Sequence, residues 1–177
     1  DNIIFCINEE EANNYDIISF TGSTLDLLCG MFFLHKNNLK LSSTLHIDFV
    51  NNQLYEKYLN TFKNISIKKD DFFNFEIMWD GKSIFYPTSL QECINNFKKS
   101  DNKFLIIPIA ITLERGAHSN ILIYDKDTNE IERFEPNGAL FPKNFNYFPD
   151  KLDNKLNLKF FEFFKDIKYI YTTDYIP

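Results

Sequence analysis

The stretch Arg115–Gly138, RGAHSNILIYDKDTNEIERFEPNG, decides how the chain is read. Two runs of β-formers, SNILIYD and EIERF, flank Lys126-Asp127-Thr128-Asn129, polar residues of the kind that close a hairpin. With Asp125 facing Glu130, antiparallel register sets Asn120 opposite Glu135 and His118 opposite Asn137. Side chains alternate faces along a strand, so His118, Asn120, Glu135 and Asn137 project to one side. Directly opposed Cβ atoms lie roughly 4.5–5.5 Å apart and diagonal ones roughly 7–8 Å, so a Glu or Asn side chain reaches the imidazole. An imidazole oriented by a carboxylate or amide is the base half of a nucleophilic site. The same pairing is also what any hairpin with polar ends produces.

Working outward, FLIIPIAITLE before the hairpin is a β-rich, central run in which Pro108 forces a bulge or an unpaired position. FEIMWDGKSIFYP reads as a second hairpin turning at Asp80-Gly81. Residues 88–99 place Leu90, Cys93, Ile94 and Phe97 on one helical face. Residues 149–166 do the same with Leu152, Leu156, Phe160 and Phe164, and a strand-like YIYTT closes the chain. Upstream, NIIFCI and LHIDFV read as strands, 24–35 as a buried helix and 52–63 as a helix. The order is mixed with no regular βα alternation, which predicts an α+β fold in a single domain over 1–177.

Composition narrows the function. With 177 residues, 44% of them hydrophobic and 17% aromatic, the chain has material for a real core and no signature of disorder. A net charge of -6 argues against a nucleic-acid partner, because phosphate binding relies on a Lys/Arg surplus. The apolar runs LDLLCGMFFL and FLIIPIAITL are far short of the ~20 residues of a membrane span, so no membrane partner is expected. The start DNIIFCINEE lacks the basic and long apolar regions of a signal peptide. Cys6, Cys29 and Cys93 have neither metal nor disulfide spacing, which fits a reducing, intracellular setting. No zinc motif or phosphate-binding glycine loop is present, so no cofactor or metal is expected, and His35 and His46 read as structural.

The run IPIAITLERGAHSNILIYDKDTNEIERFEPNG resembles a segment of mimivirus-like, nucleocytoplasmic large DNA virus proteins. That segment is in turn similar to the core of the ubiquitin-like-protein (SUMO) and adenovirus-type cysteine protease superfamily. The likeness covers most of 16–177, most strongly 104–177, and Arg133-Phe134-Glu135-Pro136 is its most specific part. It implies a papain-like or SUMO-protease-like core, a mixed sheet flanked by helices, with His118 as catalytic base and Glu135 as its orienting acid. Asn137 stands where those viral proteins have a second histidine, and is a lesser candidate for the orienter. The nucleophile segment that the resemblance implies, a Gln followed by Gly-aromatic-Cys-x-x-Trp, would lie beyond Pro177. The chain is therefore expected to be a fragment or processed part of a longer protein.

Three functions are then expected, in order. The first is a viral cysteine protease-like domain acting on a protein substrate. The second is an inactive virion structural or interaction protein keeping that fold and binding other virion proteins. The third, a papain-like order with Cys29 as nucleophile, is weakened because Cys29 lies inside an apolar helix, where burial makes a thiol inert. The virion or host cytoplasm is the expected location.

Overall fold

The computed structural model describes residues 30, 33–34, 36–45, 72–74, 76–114, 116–137 and 145–174. The described strands are β1 (Leu41–Leu45), β2 (Phe72–Asn74), β3 (Ile77–Trp79), β4 (Ile84–Phe85), β5 (Phe104–Leu113), β6 (Gly116–Asp125), β7 (Glu130–Phe134) and β8 (Lys168–Ile170). Helix α1 (Leu90–Lys99) precedes β5 and helix α2 (Pro149–Phe163) precedes β8. These strands form one mixed sheet in the order β2-β1-β5-β6-β7-β8, with β3 pairing both β4 and β5.

β5 is the axis of the sheet. One of its edges pairs antiparallel with β6 along its whole length, from Phe104↔Asp125 to Leu113↔Gly116. The other edge is shared: β1 takes 104–106 in parallel and β3 takes 109–111. Pro108, which has no N–H to give a ladder, falls in the gap between those two partners. The expected unpaired position is therefore where one parallel neighbour hands over to another.

The hairpin registers follow from their turns. β6 and β7 pair from Asp125↔Glu130 to Ile121↔Phe134, the register that a four-residue loop dictates. Asn129 takes positive φ (55°) in that loop, as short polar side chains tolerate. β3 and β4 turn at Asp80-Gly81, where Asp80 Oδ1 accepts from the N–H groups of Lys82 (2.8 Å) and Ser83 (2.6 Å). Gly81 has φ 87°, the left-handed side of the map that favours glycine, and a Cβ there would also oblige Leu113 Cδ2, 2.9 Å away, to shift.

Both helices pack on one face of the sheet. Leu90, Cys93, Ile94 and Phe97 of α1 and Leu152, Leu156 and Phe160 of α2 join Leu105, Ile107, Ile109 and Ile111 of β5 in one core cluster. Leu122, Tyr124 and Ile131 continue it across β6 and β7, all on the same pleat face. The hairpin loop ties into the helices: Lys126 Nζ donates to the carbonyls of Phe97 (3.2 Å) and Ser100 (2.8 Å) at the end of α1. Those are carbonyls that a helix C-terminus leaves without intrahelical donors. Asn129 Nδ2 donates to Lys165 O (2.9 Å) just after α2.

Several expectations are adjusted by the structure. In the helix expected over 24–35, Phe33 and Leu34 are helical, but Phe33 is 64% exposed, so that turn is not buried on all sides. A strand forms over Leu41–Leu45, ending at the first residue of the expected LHIDFV run. Its parallel pairing with β5 begins at Leu41, which the apolar run LHIDFV does not reveal. The NIIFCI strand, the 52–63 helix, most of LHIDFV, and Cys6, Cys29, His35 and His46 lie outside the described residues.

Phe160 is wholly buried and Leu158, two positions earlier on the same helix, is 73% exposed. Phe160→Ala is expected to cost about 3–5 kcal/mol of unfolding free energy, whereas Leu158→Ala stays within about 0.5 kcal/mol. Urea unfolding of the two variants checks both values.

Candidate functional site: a buried polar network ending at His118

Along β6 the helix-covered face runs Tyr124, Leu122, Asn120, His118, so it turns from apolar to polar toward the N-terminal end of the strand. Asn120 is completely buried, and His118 keeps 16% of its side-chain surface. Glu135, one residue past β7, is turned in beneath them and is 3% exposed. Buried polar groups of this kind are tolerated only when partnered, and here the partners interlock.

His118 Nε2 lies 2.8 and 3.0 Å from the two oxygens of Glu135. Asn120 Nδ2 donates to Glu135 Oε2 (2.9 Å), and Tyr147 O–H donates to the same oxygen. The backbone N–H of Asn137 donates to Oε1 (2.9 Å). Behind them Arg133 Nη1 donates to Asn120 Oδ1 (2.6 Å) and to the Tyr147 hydroxyl oxygen (3.0 Å). Its Nε and Nη2 meet Asp153 Oδ1 and Oδ2 at 2.6 and 2.8 Å, a two-pronged pairing that links β7 to α2. Tyr169 O–H completes Asp153 (2.6 Å), and Thr172 Oγ1 donates to Arg133 O (3.1 Å).

Donor and acceptor chemistry fixes the orientations. A guanidinium only donates, so the Asn120 oxygen must face Arg133 and its NH₂ must face Glu135. The two hydrogens of that NH₂ are used on Glu135 Oε2 and Ser119 O, so the nearby His118 Nε2 (3.1 Å) is free to donate to the carboxylate. An ionised carboxylate only accepts, so Nε2 carries the proton. The remaining ring nitrogen, Nδ1, has no partner among the described residues. The ring is steadied by Tyr147 (centroids 5.7 Å apart) and by the edge of Phe145 (6.0 Å, 82°).

Burial alone would push the Glu135 carboxyl up, but the hydrogen bonds from His118, Tyr147, the Asn137 N–H and Asn120 outweigh it. Together they hold Glu135 at about 2, against an ordinary value of 4.5. Burial pushes the Tyr147 hydroxyl up, so it stays a donor to Glu135. Despite its burial, the hydrogen bonds to Asp153 and that carboxylate's charge keep Arg133 protonated.

Of the residues expected at the site, His118 and Glu135 are in direct contact. Asn137 enters only through its backbone N–H; its exposed side chain turns away because the chain leaves the ladder after Phe134. Asn137 as an orienting side chain is therefore corrected. Arg133, Tyr147, Asp153 and Tyr169 are further members that the hairpin reading missed. A signal was present for Arg133, one of only two arginines, placed among strand residues. Asp153, in the buried stripe Leu152, Asp153, Leu156 of a helix, was a second.

A cleft of about 340 Å³ opens beside the network, and Arg133, Glu135, Asp153, Tyr147, Phe148 and Tyr171 are among the residues that line it. Phe148 sits in the left-handed region (φ 56°), a strain of roughly 1–2 kcal/mol for a residue with a Cβ. Trp79 Nε1 donates to Tyr147 O (2.5 Å) and Asn146 Oδ1 accepts from Phe148 N–H (3.1 Å), which holds this segment in place.

No family model matches the chain, and no solved structure matches it. Among curated proteins it matches a putative ankyrin repeat protein of Acanthamoeba polyphaga mimivirus, at 35% identity over 185 residues. The match covers 98% of this chain but 23% of the relative, so the chain spans about a quarter of that protein's length. The match supports the expected giant-virus kinship and gives no support to the SUMO-protease superfamily.

It also overturns the expected function. The relative bears the name of an ankyrin repeat protein, not of a protease, and the reading of this chain as a cysteine protease-like domain is corrected accordingly. The hydrolase assignment drawn from that reading has no support either. The one described cysteine, Cys93, is buried in the core on α1, and burial pushes its thiol up to about 12. An ankyrin repeat is a β-turn and two helices recurring about every 33 residues. The described residues, with an eight-stranded sheet, are not themselves a run of such repeats. No helix among them is long and apolar enough to cross a membrane.

Glu135 has a lowered folded value, so its stabilisation is complete above the unfolded value of 4.5 and is lost as pH falls toward about 2. Unfolding free energy is expected to drop through that window, and Glu135→Gln should flatten the drop, as read by urea titrations at stepped pH.

Asp153→Ala leaves Arg133 buried without its partner and should cost about 3–5 kcal/mol, while Arg133→Met with Asp153→Leu recovers most of it. A chemical-denaturation cycle over the three variants checks this.

Proposed function

We propose that the chain is a protein-interaction module within the kind of longer giant-virus protein that its relative represents. The carrying observation is the match along 98% of the chain to a protein named for ankyrin repeats. Repeats of that class work by presenting extended binding surfaces. A folded segment that accounts for 23% of such a protein serves best as a second contact, adding to the repeats by holding the same assembly at another point.

The contact group on this reading is His118, with Glu135 as its orienter. The network holds the imidazole with Nε2 donating inward, which leaves Nδ1 as an acceptor whose direction is fixed before a partner arrives. A partner would present an N–H or O–H donor to it. Ala117, exposed and adjacent, lies at the same strand end.

The test places a photo-crosslinking amino acid at Ala117 in the protein as made in infected cells, with exposed Lys165 as the control position. A discrete cross-linked protein from position 117, absent from position 165 and reduced at least tenfold by His118→Ala, is expected. Equal cross-linking from both positions, or none from position 117, would sink the proposal.

A further inference from the structure

The cleft beside the network contains an unanswered donor. A guanidinium has five N–H hydrogens. In Arg133 the Nε hydrogen goes to Asp153 Oδ1, both Nη1 hydrogens go to Asn120 and Tyr147, and one Nη2 hydrogen goes to Asp153 Oδ2. The second Nη2 hydrogen has no acceptor among the described residues. Arg133 is 2% exposed, and the little surface it keeps belongs to a residue lining the 340 Å³ cleft. A buried donor left without a protein acceptor is uncommon in folded proteins and calls for an acceptor from outside the chain.

From this we infer that the cleft is a recognition site for a neutral amide carbonyl of the protein partner. The inference rests on the interaction reading above and gives it a second contact point. The ligand atom must be an acceptor, because the guanidinium only donates. It should be uncharged, because the carboxylates of Glu135 and Asp153 line the same cleft and repel an anion. An amide oxygen meets both conditions. The lining fits the rest of the group: Tyr147, Phe148 and Tyr171 bring aromatic rings to it, and the exposed Asp150 can accept the amide's own N–H. Phe148 is held in a strained left-handed conformation in this lining, and such strain concentrates at sites that bind. A volume of about 340 Å³ is at the small end of the range for ligand sites, enough for one amide group and its substituents.

The chain has two arginines, Arg115 and Arg133, so its side-chain Nε–H spectrum holds two signals and Arg115→Lys assigns them. N-methylacetamide serves as the peptide-group probe, acetamide as the side-chain carboxamide probe and acetate as the anion. Saturable shifts of the Arg133 signal and of the Thr173 amide are expected with the amides and not with acetate. A tighter response to N-methylacetamide identifies a main-chain carbonyl, and a tighter response to acetamide an Asn or Gln side chain. Thr173→Trp and Lys151→Trp, both at exposed lining positions, should abolish the shifts while leaving the thermal midpoint unchanged. Stronger shifts with acetate, no shift with either amide, or shifts that survive both tryptophans would overturn the inference. Cross-linking from Ala117 that survives Thr173→Trp while amide binding is lost would overturn the cleft's link to that partner and leave the interaction reading intact. Amide binding without any cross-linked partner would defeat the interaction reading alone.

Discussion

Everything around the site depends on the two-pronged pair between Arg133 and Asp153. One member comes from a sheet strand and the other from the buried stripe of α2, so the pair sets where the helix lies along the sheet. A charge on either side without the other would be costly in so dry a position. The arginine also faces the other way, toward Asn120 and Tyr147, so the helix position and the orientation of both those groups are set by the same side chain.

From that pair the order of constraint runs outward in one direction. Arg133 can only donate, which turns the Asn120 amide and makes the Tyr147 hydroxyl pass its hydrogen on. Both then donate to Glu135, the Asn137 N–H adds a third bond, and the imidazole supplies the last donor. Each link is an obligatory match of donor to acceptor, so the network has one arrangement rather than several. The same logic exposes two points where it ends without a partner among the described residues: His118 Nδ1 and an Arg133 Nη2 hydrogen.

The sequence made the hairpin legible because its register depends on local chemistry alone. A polar four-residue loop between two β runs sets Asp125 against Glu130, and alternation then carries His118 to Glu135 without any knowledge of the remaining fold. The stripe of α2 and the face of α1 were legible for the same reason: helical spacing is a local property. What was not legible is long-range. The Arg133–Asp153 contact spans 20 residues, and the sharing of β5 between β1 and β3 brings together residues 63 apart (Leu41 and Phe104) and 32 apart (Ile77 and Ile109) in sequence. Nothing local in FLIIPIAITLE announces two parallel partners on one edge, although Pro108 marks where they must change over. Asn137 shows the limit of extrapolating a ladder: the pairing geometry holds to Phe134, and beyond it the chain is free to present backbone rather than side chain.

A network of this composition is hard to justify by stability. Filling the same space with apolar side chains of similar volume is often neutral or stabilising, because charges taken out of water lose solvation that their attraction barely restores. The apolar alternative is visible in the same strands, where Leu122 and Tyr124 continue the face that Asn120 and His118 interrupt. What the polar version supplies and an apolar core cannot is directionality: a ring whose outer nitrogen has a fixed chemical identity and a fixed aim. Binding uses such a group without any proton changing hands, since a preset acceptor lowers the entropy lost when a partner's donor meets it. A carboxylate held at about 2 suits that use, because it remains an acceptor for Nε2–H well below the ordinary carboxylate range. The His118–Glu135 pair, which resembles half of a catalytic site, is thus equally complete as a recognition element that needs no nucleophile beside it.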